Sequence, residues 1–238
     1  MLTFRKSGLD AIQQGDVYFR WRGGDVSRLE SLFDAIIALA LTLIVVSVEV
    51  PASFDELLVE FKKLPAFGVC FAILLMCWFY HYSFHRRYGL EDFPLLVLNS
   101  ILMFVVVFYV YPLKFLYSLM FTAEEVQITR EQVPTLMMMY SGGFAAIFLI
   151  LLLMHVYAYS KRQVLELTYN EITQTKARIC ELFWYVLLGF ISILIACTKD
   201  YVPFSGVIYF LVGPIQGLNG YLWGRQIRSD EVESANAT

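Results

Sequence analysis

From Ala35 to Val48 the chain reads AIIALALTLIVVSV and carries no charge. Such a stretch is buried in something apolar, either a protein core or a bilayer. Taken as a helix from Leu32 to Pro51 it covers about 30 Å, the thickness of a bilayer's hydrocarbon core. Its start is encoded by Ser27-Arg28-Leu29-Glu30, an S/T-x-x-E capping box in which hydroxyl and carboxylate each satisfy an orphan backbone N–H. Pro51 blocks continuation at the far end. The segment is not uniformly apolar, because Asp34 sits at its edge and Thr42 at mid-depth. Polar groups inside a membrane are costly enough to suggest a function.

Runs long enough to span recur at 64–84, 93–113, 137–160, 179–198 and 202–223, beside the one at 31–51. Of the 238 residues 58% are apolar, and mean hydropathy is +0.61, whereas a soluble domain uses about half apolar residues. The sequence therefore predicts an all-α membrane protein with six transmembrane helices, a multi-pass protein of the cell (plasma) membrane with no soluble domain. Its parts are a cytoplasmic or interfacial segment (1–27), a membrane domain (28–223) and a polar tail (224–238) whose composition predicts disorder. The first residues lack the unbroken apolar core of a secretory signal, which predicts no cleavage. No internal repeat relates 31–113 to 137–223.

Sidedness follows from the cations rather than from the net charge. Of 18 Lys and Arg, only Lys62, Lys63, Lys114, Arg130 and Lys199 fall on the side opposite the N-terminus in a six-span topology. The positive-inside rule then places both termini in the cytoplasm. Val17 to Arg22 alternates aromatic and basic residues and predicts a perch in the headgroup zone, the alternative being a solvated tail. Residues between Pro51 and 64 are read as a short charged loop, and the third span is expected to run past a kink at Pro112.

The topology also brings polar residues to one depth. Asp34 lies about one and a half turns after Arg28, His81 a few residues before Arg86-Arg87, and Asn99 about two turns into the third span from the same side. Groups at equal depth can satisfy one another across helices, and Trp78, one turn before His81, shares its face. The plainer readings are a histidine facing headgroups and a belt tryptophan.

The spacing of Arg28, Asp34 and Thr42, with Trp78-x-x-His81, Asn99 and Pro112 beyond, resembles the transmembrane protein 175 family of potassium channels. The family motif R-x-x-x-F-S-D stands here as R-L-E-S-L-F-D, with Leu32 and Phe33 in place of Phe and Ser. The resemblance implies a single six-helix repeat of the bacterial kind, a homotetramer whose first helices line a central pore, and potassium as the permeating ion. It further implies that Leu39 is an apolar bottleneck and Thr42 a hydroxyl ring, with Arg28, Asp34, Trp78, His81 and Asn99 as a structural network.

Read from the residues, a pore lined by Leu39, Thr42, Leu43 and Val46 at i, i+3, i+4, i+7 spacing offers few oxygens. Potassium sheds water more cheaply than sodium, so such a constriction favours it only weakly. The same stripe could be packing or lipid-facing surface. No TVGYG filter sequence occurs. Competing readings are a six-helix secondary transporter and a non-conducting scaffold subunit. No enzyme is predicted: Ser141 and His155 on one helix stand about 21 Å apart, and no paired acid and base occur. Cys70 and Cys77 share a face without His or carboxylate partners, and Cys180 and Cys197 fall near helix ends. No metal site beyond the permeating monovalent cation is therefore expected, and no cofactor. The expected partners are the bilayer and further copies of the chain, and no nucleic acid. Reporter fusions at Pro134 and at the C-terminus should report opposite sides of the membrane; agreement between them would refute the six-span count.

Overall fold

The computed structural model of the chain describes residues 19–24, 26–46, 52–62, 64–121, 128–198 and 201–236. In order these form α1 (Arg28–Val46), α2 (Phe54–Lys62), α3 (Leu64–Tyr88), α4 (Phe93–Phe121), α5 (Val133–Ser160), α6 (Tyr169–Cys197), α7 (Val202–Val207), a 3-10 turn (Ile208–Leu211) and α8 (Val212–Asn236). Helices are what a bilayer allows, since each backbone polar group is then satisfied within its own segment. Four stretches, Phe67–Tyr88, Phe93–Leu113, Val133–Ser160 and Tyr169–Cys197, are each long and apolar enough to cross a membrane. The first apolar segment is α1, and the sixth is assembled from α7, the 3-10 turn and α8.

The most extensive packing joins α5 to α6. Gly189 makes it possible, because a Cβ there would stand 2.8 Å from the Ala145 Cβ and 3.3 Å from the Ser141 carbonyl. Beside that contact the Ser141 and Ser192 hydroxyls meet at 2.6 Å, and Ser192 donates to the Ser205 carbonyl of α7 at 2.7 Å. Tyr80, Phe144, Phe148 and Tyr185 fill the space between α3, α5 and α6 with edge and stacked rings. Against this body α1 lies on α3 and α4.

Several boundaries differ from the sequence expectation. The 51–64 connection contains a helix, α2, because Phe54, Leu57, Leu58 and Phe61 recur at helical spacing; the described members of that face are exposed. Helix α6 begins at Tyr169, well before 179, since Thr168 and Glu171 form a full capping box. Pro112 lies inside α4, as expected, and its carbonyl accepts from the Tyr140 hydroxyl. The tail continues as helix to Asn236; Arg, Gln, Glu and Ala there are good helix formers. A Cβ at Gly206, Gly213, Gly217 or Gly220 of the sixth segment would meet nothing within 4 Å, so among the described residues these glycines serve no close packing.

Gly189→Leu should lower thermal stability on the order of 1 to 3 kcal/mol by forcing α5 and α6 apart. Gly206→Ala, at an open position, is the control and should leave the melting temperature near that of the parent chain.

Candidate functional site

Asn99 has no exposed surface. Its Nδ2 donates to the Leu95 carbonyl one turn earlier at 2.8 Å, which fixes the amide's orientation and aims Oδ1 at α3. There the His81 Nε2 meets that oxygen at 2.7 Å and the His85 Nε2 stands 3.4 Å from it. An amide oxygen only accepts, so His81 carries its proton on Nε2. The two imidazoles, one turn apart on α3, lie with ring centres 4.4 Å apart. Over the His81 ring stacks Phe33 of α1, at 3.8 Å and 16°.

One residue further along α1, Asp34 accepts from the Trp78 indole N–H at 2.7 Å. Trp78 in turn stacks on Tyr82 of its own helix. The helix start carries the expected capping box: Ser27 N–H donates to Glu30 Oε1 at 3.0 Å, and Glu30 N–H to Ser27 Oγ at 3.1 Å. The five residues grouped by depth thus resolve into two hydrogen-bonded pairs, Asp34 with Trp78 and His81 with Asn99, joined by Phe33. Arg28 is exposed, and its side chain makes no hydrogen bond or ion pair among the described residues.

The rest of α1 has two faces. Phe33, Ile37, Ala40 and Ile44 are buried, while Leu39 and Leu43 are 53% and 44% exposed, with Thr42 exposed beside them. The Thr42 hydroxyl donates to the Ala38 carbonyl at 2.8 Å. Val46 ends the helix, and its side chain, like residues 47–51, lies outside the described part.

A second polar centre ties the segment before α1 to the bundle. Arg22 donates to Glu171 through Nη1 at 2.9 Å and Nη2 at 2.7 Å, and through Nε to the Leu165 carbonyl at 2.8 Å. The Arg20 and Thr168 amides also donate to the Glu171 carboxylate, each at 2.8 Å. Arg22 and Gly23 N–H both donate to the Arg86 carbonyl at 3.1 Å, at the end of α3. Phe19 is buried edge-on to Tyr88, with the Arg87 guanidinium 4.9 Å above its ring. Phe19 and Arg22 thus dock on protein, while Arg20 stays exposed; Val17 and Tyr18 lie outside the described residues.

The sequence pattern of the family described as "Endosomal/lysosomal potassium channel TMEM175" matches residues 28–112. That range holds α1, α2, α3, the greater part of α4 and both hydrogen-bonded pairs. A "Potassium channel" of Marivirga tractuosa is 34% identical over 228 residues, covering 88% of this chain and 92% of that protein. The chain belongs to the TMEM175 family. A crystal structure of the potassium channel MtTMEM175, solved as a variant with a nanobody–MBP fusion protein, superposes with a TM-score of 0.74. It shares 32% identity over 87% of this chain and 97% of that one.

Within this TMEM175 chain the departure from R-x-x-x-F-S-D has a visible structural role. Leu32 is exposed, and Phe33, standing where the motif has Ser, supplies the ring that covers His81. Sequence reasoning missed His85, Phe19 and the Arg22–Glu171 pair. Thr168-x-x-Glu171 is itself a capping-box signature, and His81 and His85 stand at i, i+4, so both signals were present. Among the described residues no group of three or more His, Cys, Asp or Glu could hold a metal. Ser141 and His155 are engaged separately, with Ser192 and with the Leu151 carbonyl.

Removing one partner of a buried pair should cost on the order of 1 to 3 kcal/mol. Thermal denaturation of His81→Ala, Asn99→Ala and the double variant should show strong non-additivity. Asp34→Ala combined with Asn99→Ala should come closer to additive, because among the described residues the two pairs share no hydrogen bond. Equal coupling in both cycles would mean that the five residues act as one network.

Proposed function

We propose that the protein is a weakly discriminating potassium channel in which four copies place their α1 helices around a central path, both termini facing the cytoplasm. The observation that supports this most directly is the second face of α1. The helix is sealed against α3 and α4 on one side, and the described residues leave Leu39, Thr42 and Leu43 exposed on the other. One such face cannot enclose a path, whereas four facing an axis can.

The chemistry of the face suits a monovalent cation. Thr42 spends its hydrogen on the Ala38 carbonyl, so its oxygen presents lone pairs outward. A ring of four such oxygens compensates a partly dehydrated ion. One turn away, a ring of Leu39 makes a neck that excludes water unless an ion is driven through. With so few oxygens, the preference rests on potassium's lower dehydration cost and is modest. Asp34–Trp78 and Phe33–His81–Asn99 hold the helix in place near the end where it starts. Both relatives bear the name potassium channel, which agrees with this reading. The broken sixth segment is a feature that secondary transporters also use; flux saturating with substrate would favour that reading, and absence of any flux a scaffold role.

Purified protein should have a mass near four protomers after correction for detergent, and should pass potassium in planar bilayers. Leu39→Ala should raise the current and reduce discrimination against sodium. Thr42→Val keeps the shape and should weaken potassium preference while changing pore width little. Unchanged currents in both variants, with folding and assembly intact, would reduce the stripe to packing surface.

A further inference from the structure

The segment 19–24 touches two helix ends and leads to a third. It covers the Arg86 carbonyl in the last turn of α3 through the amides of Arg22 and Gly23. It neutralises Glu171 at the start of α6 through Arg22, whose side chain is 15% exposed against 2% for its partner. It then leads directly into Ser27, the cap of α1.

The fit leaves little freedom. A Cβ on Gly23 would stand 2.3 Å from the His85 carbonyl oxygen, so the segment runs backbone against backbone on α3. Gly89 turns there with φ of 57°, and a Cβ on it would lie 2.9 Å from the Arg22 carbonyl. Phe19 locks the other end beneath Arg87 and against Tyr88. Arg22 and the α1 cap are five residues apart, a span of at most about 17 Å when fully extended. A clamp at Arg22 therefore limits where the first turn of α1 can stand.

We infer that residues 19–24 form a strap that sets the position of α1, and that Arg22 and Glu171 are positioning residues for ion conduction although neither lies on the uncovered face of that helix. This rests on the proposal that α1 lines the path. Asp34–Trp78 and Phe33–His81 fix α1 sideways against α3, and the strap fixes it from its end. Conduction then depends on strap length as well as on the clamp.

That dependence separates positioning from mere stability. Lengthening the strap with a short Gly-Ser run between Gly24 and Asp25 keeps Arg22, Glu171 and Phe19 in place while freeing α1. The full-length variant, in planar bilayers, should keep the parent's melting temperature and assembled mass yet show a severalfold change in unitary potassium conductance or in the potassium-to-sodium permeability ratio. Arg22→Ala should change conduction in the same direction and also lower thermal stability. Arg22→Lys, which restores charge without the fork, should recover stability more than conduction. Should Arg22→Ala fail to fold, the insertion answers alone. Parent-like unitary conductance and selectivity in the insertion variant would overturn the strap. A parent protein that passes no potassium would overturn the channel reading, and the strap's role in conduction with it.

Discussion

An amide buried in a membrane helix cannot turn to water, and the seating of α1 depends on how Asn99 is satisfied. Its N–H faces back to Leu95 within α4, which leaves the oxygen for α3 to answer. Imidazole N–H groups do so from His81 and His85. The face of His81 is then left for α1, and a flat ring fills it, that of Phe33. Sliding α1 by one turn would bring Leu29 or Ile37 over the imidazole and lose the stack. The register of three helices thus follows from one side chain's hydrogen-bond requirement.

That dependence is stronger in lipid than it would be in water. Acyl chains are as apolar as leucine, so burying Ile37 and Ile44 against α3 and α4 gains little of the hydrophobic free energy that drives a soluble core. Close packing and polar pairs must supply the adhesion. On α1 the polar pairs crowd the first two turns, where Glu30, Phe33 and Asp34 are engaged. Further along, the buried side chains Ile37, Ala40 and Ile44 contribute packing alone, and Thr42 bonds within its own helix. The helix is held firmly at its beginning and more loosely beyond, consistent with a path lined further along.

Much of this was legible because membrane burial leaves coarse marks. Long uncharged runs placed the spans, and Ser27-x-x-Glu30 placed the start of α1 to the residue. Equal depth brought Asp34, Trp78, His81 and Asn99 together, but depth says nothing about rotation about the helix axes. It could not show that Asp34 meets Trp78 while His81 meets Asn99, or that Arg28 faces outward. The charged stretch 161–178 reads as helix-compatible, but the apolar run begins only at 179, because the first turns of α6 are polar and hydropathy sees only what is apolar. That Phe, Trp and Arg suit an interface is visible at residues 19–22, whereas the Glu171 carboxylate that captures Arg22 lies about 150 positions away. A pairing of that range has no local signature.

The strap's polar centre is oriented as well as paired. Glu171 sits in the first turn of α6, where backbone amides and the helix dipole favour an anion, and its carboxylate completes the cap on Thr168. Arg22 sits against carbonyls, those of Leu165, Glu166 and Arg20. Exchanging the two residues would keep the opposite charges and little else. A carboxylate at 22 would face three carbonyl oxygens with no donor to offer them, and a guanidinium at 171 would oppose the positive end of α6 and leave Thr168 without its partner. The charges are complementary to each other and, separately, to the backbone each one faces, which orients the segment before α1 on the start of α6.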